Sequence, residues 1–275
     1  MPHDAPSRHG PRRTGSPRGT SPVARLLHAA RHPRRLTRYA RRLLRDLRLL
    51  HASHGDHIAF YRAVMRSNVT RDPNAAVGTP SQERWEAMGE LQFSYLRSHG
   101  LQPSHHLLEI GCGNLRAGWR FIDYLAPGHY YGVDISPDIL LAAQRVLASR
   151  GLQAKVPHLS LVADMGLAHL PEAHFDMAHA HSVFSHSPLH IIDECLTQVP
   201  RVLKPGGFLD FTFNPTEDEE RHVLHEDFYY RPATLIALAE TKGLTATPMD
   251  DWDALPHKQS KIRVTAPPAP LLGTG

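Results

Sequence analysis

The stretch Leu107-Leu108-Glu109-Ile110-Gly111-Cys112-Gly113-Asn114 constrains the fold of this 275-residue chain more than any other. An apolar run ends there in a carboxylate and two glycines one residue apart. A second apolar run, Tyr130-Tyr131-Gly132-Val133-Asp134-Ile135, follows and ends in Asp134. In a parallel α/β sheet, strand ends of this kind form the crevice where a nucleoside-bearing ligand lies. Glycine lets the backbone approach the ligand where a Cβ would collide with it. A carboxylate ending the second strand can accept hydrogen bonds from both ribose hydroxyls. The pattern predicts an α/β domain that binds a nucleoside cofactor.

The pattern departs from the dinucleotide fingerprint, which needs a third glycine three residues after the second. Arg116 stands at that position, and the next glycine is Gly118. Further strands are expected over Leu161-Val162-Ala163-Asp164-Met165, ending in Asp164, and over Phe175–Ala180, followed by His181-Ser182-Val183-Phe184-Ser185-His186. A helix from about Leu189 leads into Leu203-Lys204-Pro205-Gly206-Gly207 and a fifth strand over Phe208–Phe213.

In this order, from about Trp85 to Thr265, these motifs resemble the class I S-adenosylmethionine (SAM) dependent methyltransferase superfamily. The resemblance implies a Rossmann-like α/β fold: a seven-stranded, mostly parallel sheet with an antiparallel closing strand, formed here by Leu244–Met249 and Lys261–Thr265. It implies SAM as cofactor and carries roles over position by position. Glu109 would serve the methionine ammonium region, while Gly111, Cys112 and Gly113 would lie along the methionine chain. Asp134 would take the ribose and Ile135 one face of adenine. Asp164 would meet the adenine amino group, with Ala163 or Met165 against the ring, and His181 would follow on the acceptor side. For Asp134 a helix-capping role competes, because Ser136-Pro137 follows it.

Two cysteines, Cys112 and Cys195, exclude a disulfide scaffold and a four-thiolate zinc site. The 21 histidines are scattered without metal-ligand spacing, so no metal is expected. With no apolar run near the ~20 residues of a membrane span and no signal-peptide core, a cytoplasmic protein is expected, peripheral at the membrane if its arm binds there.

The formal charge of +4 hides a division. Residues 1–50 carry thirteen arginines, no lysine and two acids, a net +11; the remainder holds 18 basic and 25 acidic residues, a net −7. Residues 1–22, rich in Pro, Gly, Ser and Arg, are expected to be a disordered basic tail. Residues 23–55 form an Arg-rich helical arm, interrupted at Pro33. At about 100° per residue, Leu36, Ala40, Leu43, Leu47 and Leu50 fall on one stripe, opposite Arg34, Arg38, Arg41, Arg45 and Arg48. Packing on its own domain, an arm on a second subunit, an anionic membrane surface met by residues 34–50, nucleic acid and an organellar transit peptide all fit such a helix; nucleic acid fits less well, because the domain is acidic. Residues 56–100 read as a helical extension or lid, with Ser81 capping a helix from Gln82 to His99. Residues 101–266 form the SAM-binding domain, and 267–275 a loose tail.

A base is needed if the methyl acceptor is a hydroxyl, and His186 and His181, after the fourth strand, are the catalytic candidates. His225, Tyr229 and Tyr230 come second. The Asn/Asp-Pro-Pro-Tyr/Phe tetrapeptide of many amide and nucleobase N-methyltransferases is absent, since His181-Ser182-Val183-Phe184 stands in its place. An enzyme acting on a small-molecule or saccharide acceptor, at oxygen, is the leading expectation. An RNA methyltransferase using the arm, or a non-catalytic SAM-binding protein anchored to a membrane or partner, are the alternatives.

Overall fold

The computed structural model describes residues 33–251 and 258–266. The expected tails at 1–22 and 267–275, and the start of the arm at 23–32, lie outside the described residues. Contacts divide the chain into two compact units, residues 1–45 and 46–275, and the second carries the sheet.

Helix α1 (Pro33–Ala52) begins on a proline, whose fixed φ and missing N–H suit the first helical position. Three helices follow: α2 (His57–Val69), the single turn α3 (Pro73–Ala76) and α4 (Gln82–Ser98). Asp56, Asp72 and Ser81 cap them, each side-chain oxygen accepting a backbone N–H of the first turn. On α4 the stripe Trp85, Met88, Gln92, Tyr95 and Leu96 is buried, as its spacing predicts.

The sheet then forms from β1 (Leu107–Ile110), β2 (Tyr130–Asp134), β3 (His158–Leu161), β4 (Phe175–Ala180), β5 (Leu203–Pro215), β8 (Thr245–Met249) and β9 (Ser260–Thr265). Strands β3-β2-β1-β4-β5 pair in parallel in that order, β9 lies antiparallel on β5, and β8 lies antiparallel on β9. Helices α5 (Gly118–Tyr124), α6 (Pro137–Arg150), α7 (Leu189–Val202) and α8 (Pro232–Glu240) connect the strands. Successive strand residues face opposite sides. Leu107 and Met177 accordingly join Phe121 and Ala143 in one core, while Leu108 and Ala178 join Ile192, Leu196 and Leu235 in the other.

The third strand needs correction. The third strand does not cover Leu161–Met165 but ends at Leu161, paired with Asp134. Its residues His158 and Ser160 are polar because β3 is the sheet edge, so no apolar run marks it. Asp164 instead lies in a turn, where its carboxylate accepts from Gly166 N at 2.9 Å. Beyond β5, β6 (Arg221–Val223) and β7 (Asp227–Tyr230) form a hairpin, and β7 pairs with the end of β5. The Lys204–Gly207 turn is a register slip within β5, since Phe175 faces Leu203 and Met177 already faces Phe208. Gly206, at φ +79°, permits it.

A polar rib crosses the first core. Register aligns Glu109, His179, Asp210 and Arg263 on four neighbouring strands. Arg263 donates twice to fully buried Asp210, both at 2.7 Å, and His179 Nε2 lies 3.2 Å from Gln92 Oε1 on α4.

Candidate active site

The parallel strands place their C-terminal ends together, and the loop after β1 lies at their centre. Gly111 and Gly113 have φ of +70° and +55°. A Cβ on Gly111 would lie 2.4 Å from Val183 Cγ2, and one on Gly113 would lie 3.0 Å from Val77 Cγ1. Both positions favour glycine by conformation, and Gly111 also by space. Cys112 between them is buried, and burial first, with Asp134 and Glu109, pushes its thiol well up, which keeps it protonated and inert.

Asp134 ends β2. Its Oδ2 accepts from Gly113 N at 2.9 Å and its Oδ1 from Ser136 N at 2.8 Å. Ser136, not Asp134, caps α6. The Ile135 amide also bonds this carboxylate, whose two oxygens still have acceptor capacity left. Burial pushes the carboxyl up to about 6 against these hydrogen bonds. Glu109 is buried too, held by the Tyr130 hydroxyl, and burial pushes it up to about 7. A Cβ on Gly118 would lie 2.9 Å from its Oε2, so this carboxylate reaches the start of α5. Ala163 and Asp164 are exposed beyond β3, and Met165 is buried, its amide bonded to Glu194.

After β4, His181 is buried with its ring nearly parallel to that of His179 at 6.1 Å. Ser182, at φ +58°, turns the chain, its amide donating to Thr212 Oγ1 at 2.8 Å. A 3₁₀ turn then presents His186. His186 Nδ1 donates to the Glu226 carbonyl at 2.7 Å and lies 3.3 Å from Asp227 Oδ1, both at the start of β7. A carbonyl can only accept, so Nδ1 carries the proton and Nε2 of the neutral ring bears the lone pair. The secondary candidates differ: the Tyr230 hydroxyl is committed to Ser187 O at 2.8 Å, and His225 stacks on His222.

Sequence reasoning marked residues 56–100 as an extension or lid but did not find the contacts they make here. Helix α2 brings His57 Nε2 within 2.8 Å of the His186 carbonyl and stacks Tyr61 on the His186 ring. Arg62 donates to Ile135 O at 2.7 Å and Val162 O at 3.2 Å, the carbonyls that follow β2 and β3. Asn74 Oδ1 accepts from Asn114 Nδ2 at 2.8 Å, and Trp85 Nε1 donates to Asn114 Oδ1 at 2.9 Å. The helical spacing of Ile58, Tyr61, Met65 and Val69 was the available signal. Among the described residues no group of three or more His, Cys, Asp or Glu is placed to hold a metal ion, and no helix is long and apolar enough to cross a membrane.

Residues 108–209, which run from β1 into β5 and hold the glycine loop, Asp134 and His186, match the family model described as "Methyltransferase domain". The family match over these residues supports the class I SAM-dependent methyltransferase superfamily. A probable methyltransferase of Aspergillus luteorubrus, ltbC, is 26% identical over 164 residues, 58% of this chain and 52% of the relative. The polyketide synthase–nonribosomal peptide synthetase pyiS of Pyricularia grisea is 31% identical over 173 residues, which cover 60% of this chain and 4% of that protein. The chain thus spans about half the length of the first relative and a small part of the second. Among solved structures, magnesium protoporphyrin IX methyltransferase (ChlM) of Synechocystis PCC 6803 with bound SAM superposes with a TM-score of 0.58 at 15% identity. The match covers 77% of this chain and 97% of that one, a likeness of fold. The methyltransferase cofactor is SAM. Two left-handed glycines, Gly111 without room for a Cβ, and a buried carboxylate with acceptor capacity to spare at the end of β2, fit such a ligand.

Proposed function

We propose that the protein methylates a hydroxyl of a small-molecule or saccharide acceptor, with His186 as the base. When bound, SAM supplies a methyl carbon already activated by its sulfonium. The residues of this chain then have to hold the two reactants in line and remove one proton. The observation that carries the reading is the tether of His186: with Nδ1–H given to the Glu226 carbonyl, Nε2 is free to accept the acceptor's hydroxyl proton. The Asp227 carboxylate at 3.3 Å stands where it can stabilise the imidazolium so formed, and Tyr61 holds the ring plane.

The remaining roles follow from placement. Asp134 receives the ribose hydroxyls on its open lone pairs, and Gly111, Cys112 and Gly113 offer backbone to the methionine chain. Ile135, with Ala163, Asp164 and Met165 beyond β3, borders the adenine. Glu109 acts from beneath, through the loop it supports. His181 we assign to the cofactor side, since its ring is buried against His179. Val77 and Val183, which rest on the glycines, give way as the cofactor enters.

The test is transfer of label from methyl-labelled SAM into extracts split into metabolite, glycan, lipid, RNA and protein fractions. Label in the metabolite or glycan fraction, stable to amine-specific cleavage, is the expected result. Label confined to RNA or protein would overturn the acceptor assignment.

A further inference from the structure

The fold and the proposed chemistry leave α1 without a task. Its composition is one-sided: every basic residue other than histidine in the first fifty positions is arginine. On this 20-residue helix Leu43, Leu44 and Leu47 are 36%, 56% and 53% exposed, and Ala40 is exposed between them. At about 100° per residue these four fall within one stripe, and the exposed Arg41 and Arg48 line one side of it. Leucines in a row facing water are a cost unless a second apolar phase receives them.

We infer that α1 docks in the plane of an anionic lipid surface, with the Leu43–Leu44–Leu47 stripe in the acyl boundary and its arginines on the lipid phosphates. Both halves of the helix then find their complement: apolar side chains among lipid tails, guanidinium groups among negative headgroups. The other occupants satisfy only one half. A nucleic-acid backbone would meet the arginines and leave the leucines in water. A second copy of the helix would cover the leucines but bring two strongly cationic flanks together. The stretch from Leu36 to Leu50 is about 22 Å long and too charged to span a bilayer, so it lies on the surface.

The full-length protein is sedimented with phosphatidylcholine vesicles, with and without roughly one-third phosphatidylserine. Binding to the anionic vesicles alone is expected. Leu44→Glu with Leu47→Glu should lower partitioning by more than about tenfold. Arg41→Gln with Arg48→Gln should lower it about fivefold per arginine and weaken its salt dependence. Circular dichroism and SAM calorimetry, expected unchanged, show that the variants are folded. Absence of wild-type binding overturns the inference. So does undiminished vesicle binding by the leucine variant, or an RNA affinity that rivals the vesicles and ignores the leucine changes. A wild-type dimer that the leucine variant dissolves, with no vesicle binding, assigns the stripe to a second copy instead and also overturns it.

Discussion

Tyr61 lies on His186, ring centroids 5.5 Å apart and 28° from parallel, so a helix that precedes the methyltransferase domain supplies one wall of the histidine proposed as its base. The same ring is fixed from the other side by the β6–β7 hairpin. His186→Ala should therefore lower turnover by about a hundred- to ten-thousand-fold and leave SAM affinity nearly unchanged. Single-turnover assays with labelled SAM, set beside SAM calorimetry, would show that split. Tyr61→Ala, with the base retained but one wall of its ring removed, should lower turnover by less.

Asp134 offers a pH test of the cofactor site. Burial raises its folded-state value to about 6, from 3.8 in the open chain. A raised carboxyl value means that the folded protein binds this proton more tightly than the unfolded one. The associated stability is present below about 3.8 and is lost as pH rises through about 6. Ribose hydroxyls donate best to the ionised form, so SAM affinity should rise through the same window. Asp134→Asn should weaken SAM binding by roughly 1.5–3 kcal/mol at neutral pH and flatten that rise. Calorimetry at pH 5, 6 and 8, these being settings on the order of the window, would detect either outcome.

Which parts of this architecture the sequence announces follows from what each strand touches. Leu107–Ile110 and Tyr130–Asp134 lie inside the sheet, so their apolar runs are unbroken and their ends stand out. Strand β3 borders solvent, and His158 and Ser160 hide it. The β6–β7 hairpin turns through Leu224 and His225, both at positive φ, where the usual Asn-Gly or Asp-Gly would have marked a turn. The glycine loop and Asp134 were legible because a ligand pattern writes itself in residue types. The tether of His186 was not, since its partner at Glu226 is a backbone carbonyl, and any residue supplies one. Arg62 escaped for the same reason: it bonds the carbonyls of Ile135 and Val162.

Trp85 ties the helical extension to the glycine loop. Its indole N–H donates to Asn114 Oδ1, and Asn114 Nδ2 reaches Asn74. Trp85→Phe keeps most of the apolar volume but strands a buried amide oxygen, a cost of about 1–3 kcal/mol. Chemical denaturation should show that loss. SAM affinity should fall as well, because the loop that Asn114 anchors is the one whose glycines we propose to lie along the cofactor. Unchanged affinity in a destabilised variant would separate the tie from the site.

The Asp210–Arg263 pair carries the last prediction. Asp210 is fully buried on β5, and Arg263 meets it from antiparallel β9 with two bonds of 2.7 Å. Ion pairs of this kind stabilise little in net terms, because both charges leave water, yet breaking one leaves the other stranded. Arg263→Met should thus destabilise the fold by about 3–5 kcal/mol. Asp210→Leu in the same chain removes the stranded carboxylate and should recover much of that loss. A double-mutant cycle by urea denaturation measures the coupling directly. Should the single change at Arg263 cost nothing, the neighbouring Lys261, which electrostatics already links to Asp210, would be carrying the compensation, and adding Lys261→Met should then expose the full penalty.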